Sequence, residues 1–135
     1  NGRIFNLEIE KCEMEINRLK RLISDESQFE YRAKKLCSLI ESAESEDLDL
    51  EVNIFKALAD QSRLKIVKLL REGELCACEI TVGLDKPQST VSHHLSVLKS
   101  AGLIKERKDG KWSYFRLSEG AVIELLNQAK LLLLD

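Results

Sequence analysis

Cys76 and Cys78 stand one residue apart in the stretch Glu74-Leu75-Cys76-Ala77-Cys78-Glu79-Ile80, in a chain of 135 residues with four cysteines. Thiols so close in sequence suggest a grip on a soft ion or a redox couple, because the thiolate is both the ligand and the nucleophile. Helix geometry limits how they can act together. Residues two apart on an ideal α-helix point about 200° away from one another. The two sulfurs can therefore converge only where the helix has not begun or where its first turn unwinds. A helix N-terminus also favours the thiolate. A thiol enzyme is not expected, since no histidine lies near either cysteine in sequence and no acidic dyad or glycine-rich phosphate loop accompanies them.

The elements that must position these thiols belong to a small chain. At 44% hydrophobic and 33% charged, 135 residues suit one compact domain with an appendage, built from helices with solvated faces. No apolar run is long enough for a membrane span. The N-terminus shows no basic start followed by an apolar block, so no signal peptide is expected, and the chain opens on Asn1 rather than Met, as a trimmed chain would. The expected location is cytoplasmic, where the four cysteines would be reduced thiols rather than a disulfide framework. The net charge of −2 is unevenly spread. Residues 1 to 51 carry 8 Lys/Arg against 13 Asp/Glu, a net of −5, and residues 52 to 135 carry 13 against 10, a net of +3. Within residues 86 to 117, 7 cations oppose 2 anions, the footprint of a nucleic-acid contact.

Two domains follow from patterning. In residues 1 to 51, Phe5, Ile9, Cys12, Ile16, Leu19 and Ile23 step by four and three as in a heptad helix. Ser24-Asp25 interrupts them, and Phe29, Ala33, Leu36, Ile40 and Ala43 make a second seam. An acidic joint over 41 to 51 reads either as a linker or as the first turn of a following helix, where carboxylates suit the dipole. Residues 52 to 135 are tighter. Ile54 and Leu58, then Leu64, Ile66, Val67, Leu69 and Leu70, mark two helices with Asp60 or Ser62 as cap, and Gly73 stops the second. Leu75 to Leu84 reads as a short helix. Asp85-Lys86-Pro87 reads as a turn, and Gln88 to Ala101 as a longer helix closed by Gly102.

That last pair predicts a helix-turn-helix. Val91, Leu95 and Leu98 form the buried stripe of its second helix. Gln88, Ser89, Thr90, Ser92, His93 and His94 gather hydrogen-bonding side chains at the end that a recognition helix inserts into the major groove. The two histidines are read as DNA contacts rather than metal ligands. Beyond it, Ile104 to Lys108 and Lys111 to Leu117 flank Asp109-Gly110, which suits a type I′ hairpin with Lys108 and Lys111 at its tip. A cationic hairpin there is a wing for the duplex backbone. The expected fold is mainly α with a small β-hairpin: a winged helix-turn-helix with an N-terminal helical extension and a C-terminal dimerisation helix.

Leu58-Ala59-Asp60 with Arg63-Leu64 and Ile66, Glu74 to Glu79, Gln88 to Leu95 with Leu98, and Ala101-Gly102-Leu103-Ile104 leading to Arg107, Gly110 and Tyr114 closely resemble the ArsR/SmtB family of metal-responsive winged-helix repressors, over roughly residues 52 to 130. The resemblance implies a homodimer on a palindromic double-stranded operator, released when a thiophilic metal or metalloid binds. It implies no permanent cofactor. Cys76 and Cys78 match the site that takes arsenite, cadmium or lead, with zinc a weaker candidate. Those ions want three or more sulfurs, and cadmium-sensing members supply more from an N-terminal segment of the other subunit. Cys37 or Cys12 is then the expected additional ligand, with Cys37 favoured because it lies beside its seam and nearer in sequence to the winged domain, whereas Cys12, on its seam, suits a core position. Residues 118 to 135 contain no histidine to match the family's other metal site, so Val122, Ile123, Leu125, Leu126 and the leucines after them suit dimer packing. Alternatives are a repressor that senses thiol oxidation or persulfide and, more remotely, a module whose heptad helices hold another protein.

Overall fold

In the computed structural model the described residues are 12, 16–23, 28–44 and 47–134. The chain divides into two compact units, Asn1–Leu48 and Asp49–Asp135. In the first unit α1 covers residues 16–22 and α2 covers Phe29–Ala43. The second heptad seam faces inward for most of its length: Ala33 is buried and Phe29, Leu36 and Ile40 are half-buried, whereas Ala43 is exposed. Phe5 and Ile9 of the first seam lie outside the described residues.

The acidic joint resolves into a helix start, since α3 spans Leu48–Leu58 with Asp49 and Glu51 in its first turn. Helix α4, Gln61–Leu69, opens on Asp60, whose side chain accepts a hydrogen bond from the backbone N–H of Arg63 at 3.0 Å, and a 3-10 turn Leu70–Glu72 ends at Gly73 with φ of 141°. Strand β1 is only Leu75–Cys76, followed by α5 (Ala77–Leu84), α6 (Gln88–Ser100), β2 (Ile104–Asp109), β3 (Trp112–Leu117) and α7 (Ala121–Leu131).

Two expectations change here. The helix foreseen from Leu75 begins at Ala77, because Leu75 and Cys76 pair in register with Phe115 and Tyr114 and add a third antiparallel strand to the wing in the order β1-β3-β2. The hairpin turn is Gly110-Lys111 rather than Asp109-Gly110, since Asp109 stays in the ladder opposite Trp112. Gly110 has φ of 59°, and among the described non-glycine residues only Asp85 has a positive φ. Positive φ at the first central residue alone is the type II′ pattern, which also matches strand twist.

One core unites this unit. Ile66, Val67 and Leu70 from α4 and its turn, Ile80 and Leu84 from α5, Val91, Leu95 and Leu98 from α6, and Ile104 and Phe115 from the sheet are all buried in it, and Val122, Ile123 and Leu126 of α7 pack against it. Helices α4 and α5 approach closely at Gly83, where an added Cβ would stand 3.1 Å from Leu69 Cδ1. Phe115 on the inner face of β3 is buried while Trp112 on the other face is exposed, so alternation along the strand sets which aromatic is structural.

Candidate nucleic-acid interface and thiol site

Polar side chains at the start of α6 divide by exposure. Gln88, Ser89, Ser92 and His93 are exposed, Thr90 is half-buried, and His94 is half-buried with its Nδ1 3.2 Å from Nη1 of Arg63. His94 thus faces the scaffold, and the exposed polar surface at the start of the helix is carried by Gln88, Ser89, Ser92 and His93.

Arg63 is the residue that pattern reading undervalued. Its Nε donates to the carbonyl of Ala57 at 2.6 Å and its Nη2 to that of Lys56 at 3.3 Å. Those carbonyls lie in the last turn of α3, where a helix leaves acceptors unsatisfied. One guanidinium therefore fastens the end of α3, the start of α4 and the flank of α6. The same N–H that caps onto Asp60, aided by the nearby Arg63 charge, holds the Asp60 carboxyl below the ordinary aspartate range. Only the spacing of Arg63, three residues after a capping aspartate, hints at this in the sequence.

The wing is anchored by a second arginine. Arg107 makes a two-pronged contact with Glu74, Nη2 to Oε1 at 2.7 Å and Nε to Oε2 at 3.2 Å, and its guanidinium sits 4.6 Å from the centre of the Tyr114 ring. Hydrogen bonding from Arg107 pulls the Glu74 carboxyl below its usual range and raises Arg107 in turn. Lys99 and Glu106 pair at 2.8 Å, tying α6 to β2. With Arg107 and Lys99 so engaged, Lys86, Lys105, Lys108, Lys111 and Arg116 remain as exposed cations of the basic segment, and Lys111 Nζ lies 5.3 Å from the Trp112 ring centre at the wing tip.

Cys76 is buried as the N-cap of α5 and Cys78 is exposed in its first turn. Cys76 has extended backbone angles, so the pair spans the junction of β1 and α5 rather than a helix turn, and the two sulfurs converge without any unwinding. Cys76 Sγ accepts from the Glu79 backbone N–H at 3.4 Å while Glu79 Oε1 accepts from the Cys76 N–H at 3.0 Å. This is a capping box with sulfur in the place of a hydroxyl. The structure pairs all four cysteines, Cys76 with Cys78 at a Cα separation of 5.4 Å and Cys12 with Cys37 at 5.8 Å, where reduced thiols were expected. Both separations lie within disulfide reach. As dithiols the same convergence offers two sulfurs to one ion. Among the described residues no three His, Cys, Asp or Glu side chains cluster to hold a metal, so Cys76 and Cys78 supply a soft but incomplete donor set. A cavity of about 430 Å³ touches Cys78, Val82, Gln88, Lys111 and Trp112, putting the exposed thiol of the pair, the first residue of α6 and the wing tip around one space.

A helix-turn-helix followed by a cationic β-hairpin defines a winged-helix DNA-binding protein. The model of the bacterial regulatory protein arsR family matches residues 60–106. The cadmium resistance transcriptional regulatory protein CadC homolog of Staphylococcus aureus is 40% identical over 99 residues, covering 73% of this chain and 77% of that protein. The arsenical resistance operon repressor of Escherichia coli is 50% identical over 70 residues, covering 51% of this chain and 60% of that protein. Among solved structures, the homodimeric winged helix-turn-helix DNA-binding domain of a possible ArsR-family regulator from Mycobacterium bovis aligns with a TM-score of 0.59 at 30% identity, covering 68% of this chain and 89% of that one. The chain belongs to the ArsR family and is a transcriptional regulator. Among the described residues no helix is long and apolar enough to cross a membrane.

Proposed function

We propose that this regulator is a homodimeric repressor that leaves its operator when a thiophilic metal or metalloid engages Cys76 and Cys78. The observation that carries the reading is the double duty of Cys76: its sulfur is at once half of the thiol pair and the acceptor that caps α5, the first helix of the helix-turn-helix. A soft ion, when bound, supplies a stronger claim on the sulfur lone pairs than a backbone N–H does. Glu79 N–H then loses its acceptor, and the α5 start that packs against α6 loosens. Gln88, Ser89, Ser92 and His93 read base edges or phosphate and Lys108 and Lys111 hold the backbone, with Thr90 and His94 closer to the scaffold. Relatives named for arsenical and cadmium resistance support arsenite and cadmium as inducers. Lead and zinc belong to the same test.

In this reading a cysteine lent by the N-terminal segment of the other subunit, Cys37 ahead of Cys12, completes the sulfur set. Of the two routes to convergence that helix geometry allows, the helix begins only after Cys76, so the coupling runs through competition for the cap rather than through an unwound first turn. The test selects an operator from random duplexes with the reduced protein, then follows labelled operator by anisotropy with arsenite, cadmium, lead or zinc. Effector coupling of about 1–3 kcal/mol is typical. Affinity unchanged by every ion refutes metal control. Thiol oxidation is the second reading, favoured by the disulfide-compatible spacing of Cys76 and Cys78.

A further inference from the structure

The structure assigns a second thiol site to the N-terminal unit: Cys12 and Cys37 form a reversible intrachain dithiol–disulfide couple, oxidised by low-molecular-weight disulfides and separate from Cys76 and Cys78. Cys12 and Cys37 are 25 residues apart in sequence, yet the structure joins them at a Cα separation of 5.8 Å, inside the window a disulfide requires. Both are half-buried, and of the described residues of this unit Ala33 alone is buried. Leu22, Tyr31 and Leu39 are exposed by 83%, 70% and 56%. Two short helices with so little core gain most from a covalent tie. Cys37 sits directly after Leu36 on the inward side of α2, so a bond there joins the two seams.

The chemistry balances with an ordinary oxidant. The thiolate of one cysteine attacks a sulfur of oxidised glutathione and releases one glutathione thiol. The other cysteine then attacks the resulting mixed disulfide and releases the second. One S–S bond forms as one breaks, two electrons pass to the oxidant, and both protons end on the released thiols. A closed pair withdraws Cys37 from ion binding, so oxidation makes the repressor less responsive to metal; this consequence rests on the functional reading above, whereas the couple itself does not.

The test uses the full chain carrying Cys76→Ser and Cys78→Ser, which leaves Cys12 and Cys37 as its thiols, equilibrated with oxidised glutathione and then alkylated and mapped by mass spectrometry. The expected product is a Cys12–Cys37 cross-linked peptide pair, no retained glutathione, no covalent dimer on a non-reducing gel, and both thiols regained with dithiothreitol. Adding Cys12→Ser should leave Cys37 carrying one glutathione, which shows that Cys12 resolves the intermediate. Persistent free thiols, stable glutathione on both cysteines of the parent, or a chain-to-chain link each overturn the assignment. No ion or DNA enters the measurement. Failure of metal release therefore leaves this site standing, and free thiols here leave the functional reading standing.

Discussion

Serine in place of Cys76 separates the two duties of that side chain. A hydroxyl also accepts from the third residue of the helix, so Cys76→Ser should lower the free energy of urea unfolding by no more than about 1 kcal/mol while abolishing operator release by cadmium or arsenite. A large loss of stability would show that sulfur itself is needed for the fold. Asp60 allows a similar separation. Its carboxyl is held below the ordinary range by the Arg63 N–H, so its contribution is complete above about pH 4, the unfolded-state value. It is lost as pH falls through the lower folded-state value. Asp60→Asn retains a good cap without that proton linkage. Its stability should approach or exceed that of the parent on acidification, as read from urea midpoints between neutral pH and pH 3.

At the scale of elements, helix α6 and the wing divide specificity from affinity. Replacing Lys108 and Lys111 together by alanine should weaken binding to all duplexes alike and reduce the slope of log K against log salt by about one for each phosphate that the lysines no longer neutralise. Gln88→Ala should instead relax discrimination at one base position, by about 1–3 kcal/mol, with the salt slope unchanged. Binding titrations at several salt concentrations separate the two, and equal slopes for the lysine variant would remove the wing from the interface. Arg107 is not equivalent to these lysines. Its fork to Glu74 ties β2 to the residue before β1, so its replacement should loosen the wing as well as remove charge.

For the whole molecule the issue is what covers the apolar surface of the winged unit. Phe55 of α3 is exposed by 59%, and Leu131, Leu132 and Leu133 by 63%, 85% and 83%. Exposed apolar side chains in such numbers mark an interface rather than solvent-facing surface. Changing Leu132 and Leu133 to aspartate should shift the protein towards monomer in sedimentation equilibrium and weaken operator binding, since a two-fold symmetric dimer covers half-sites about one helical turn apart. A dimer unaffected by those changes would place the interface elsewhere.

The periodic apolar residues of α2, α4 and α6, the glycine and proline punctuation around α6, and the hairpin after it were legible because each depends on neighbours three or four positions away or on a local backbone preference. The thiol spacing also pointed to Cys76 and Cys78 as a pair without any coordinates, and the structure brings their Cα atoms to 5.4 Å. Three features needed the tertiary structure. Leu75 and Cys76 became a strand because β3, distant in sequence, offered a free edge at Phe115 and Tyr114, a pairing that no local preference encodes. Arg63 acquired its role by reaching the carbonyls of α3 and the ring of His94. Cys12 met Cys37 because the two seams of the N-terminal unit came together. Local periodicity determines which residues turn inward, and the packed chain alone decides which distant side chains they meet there.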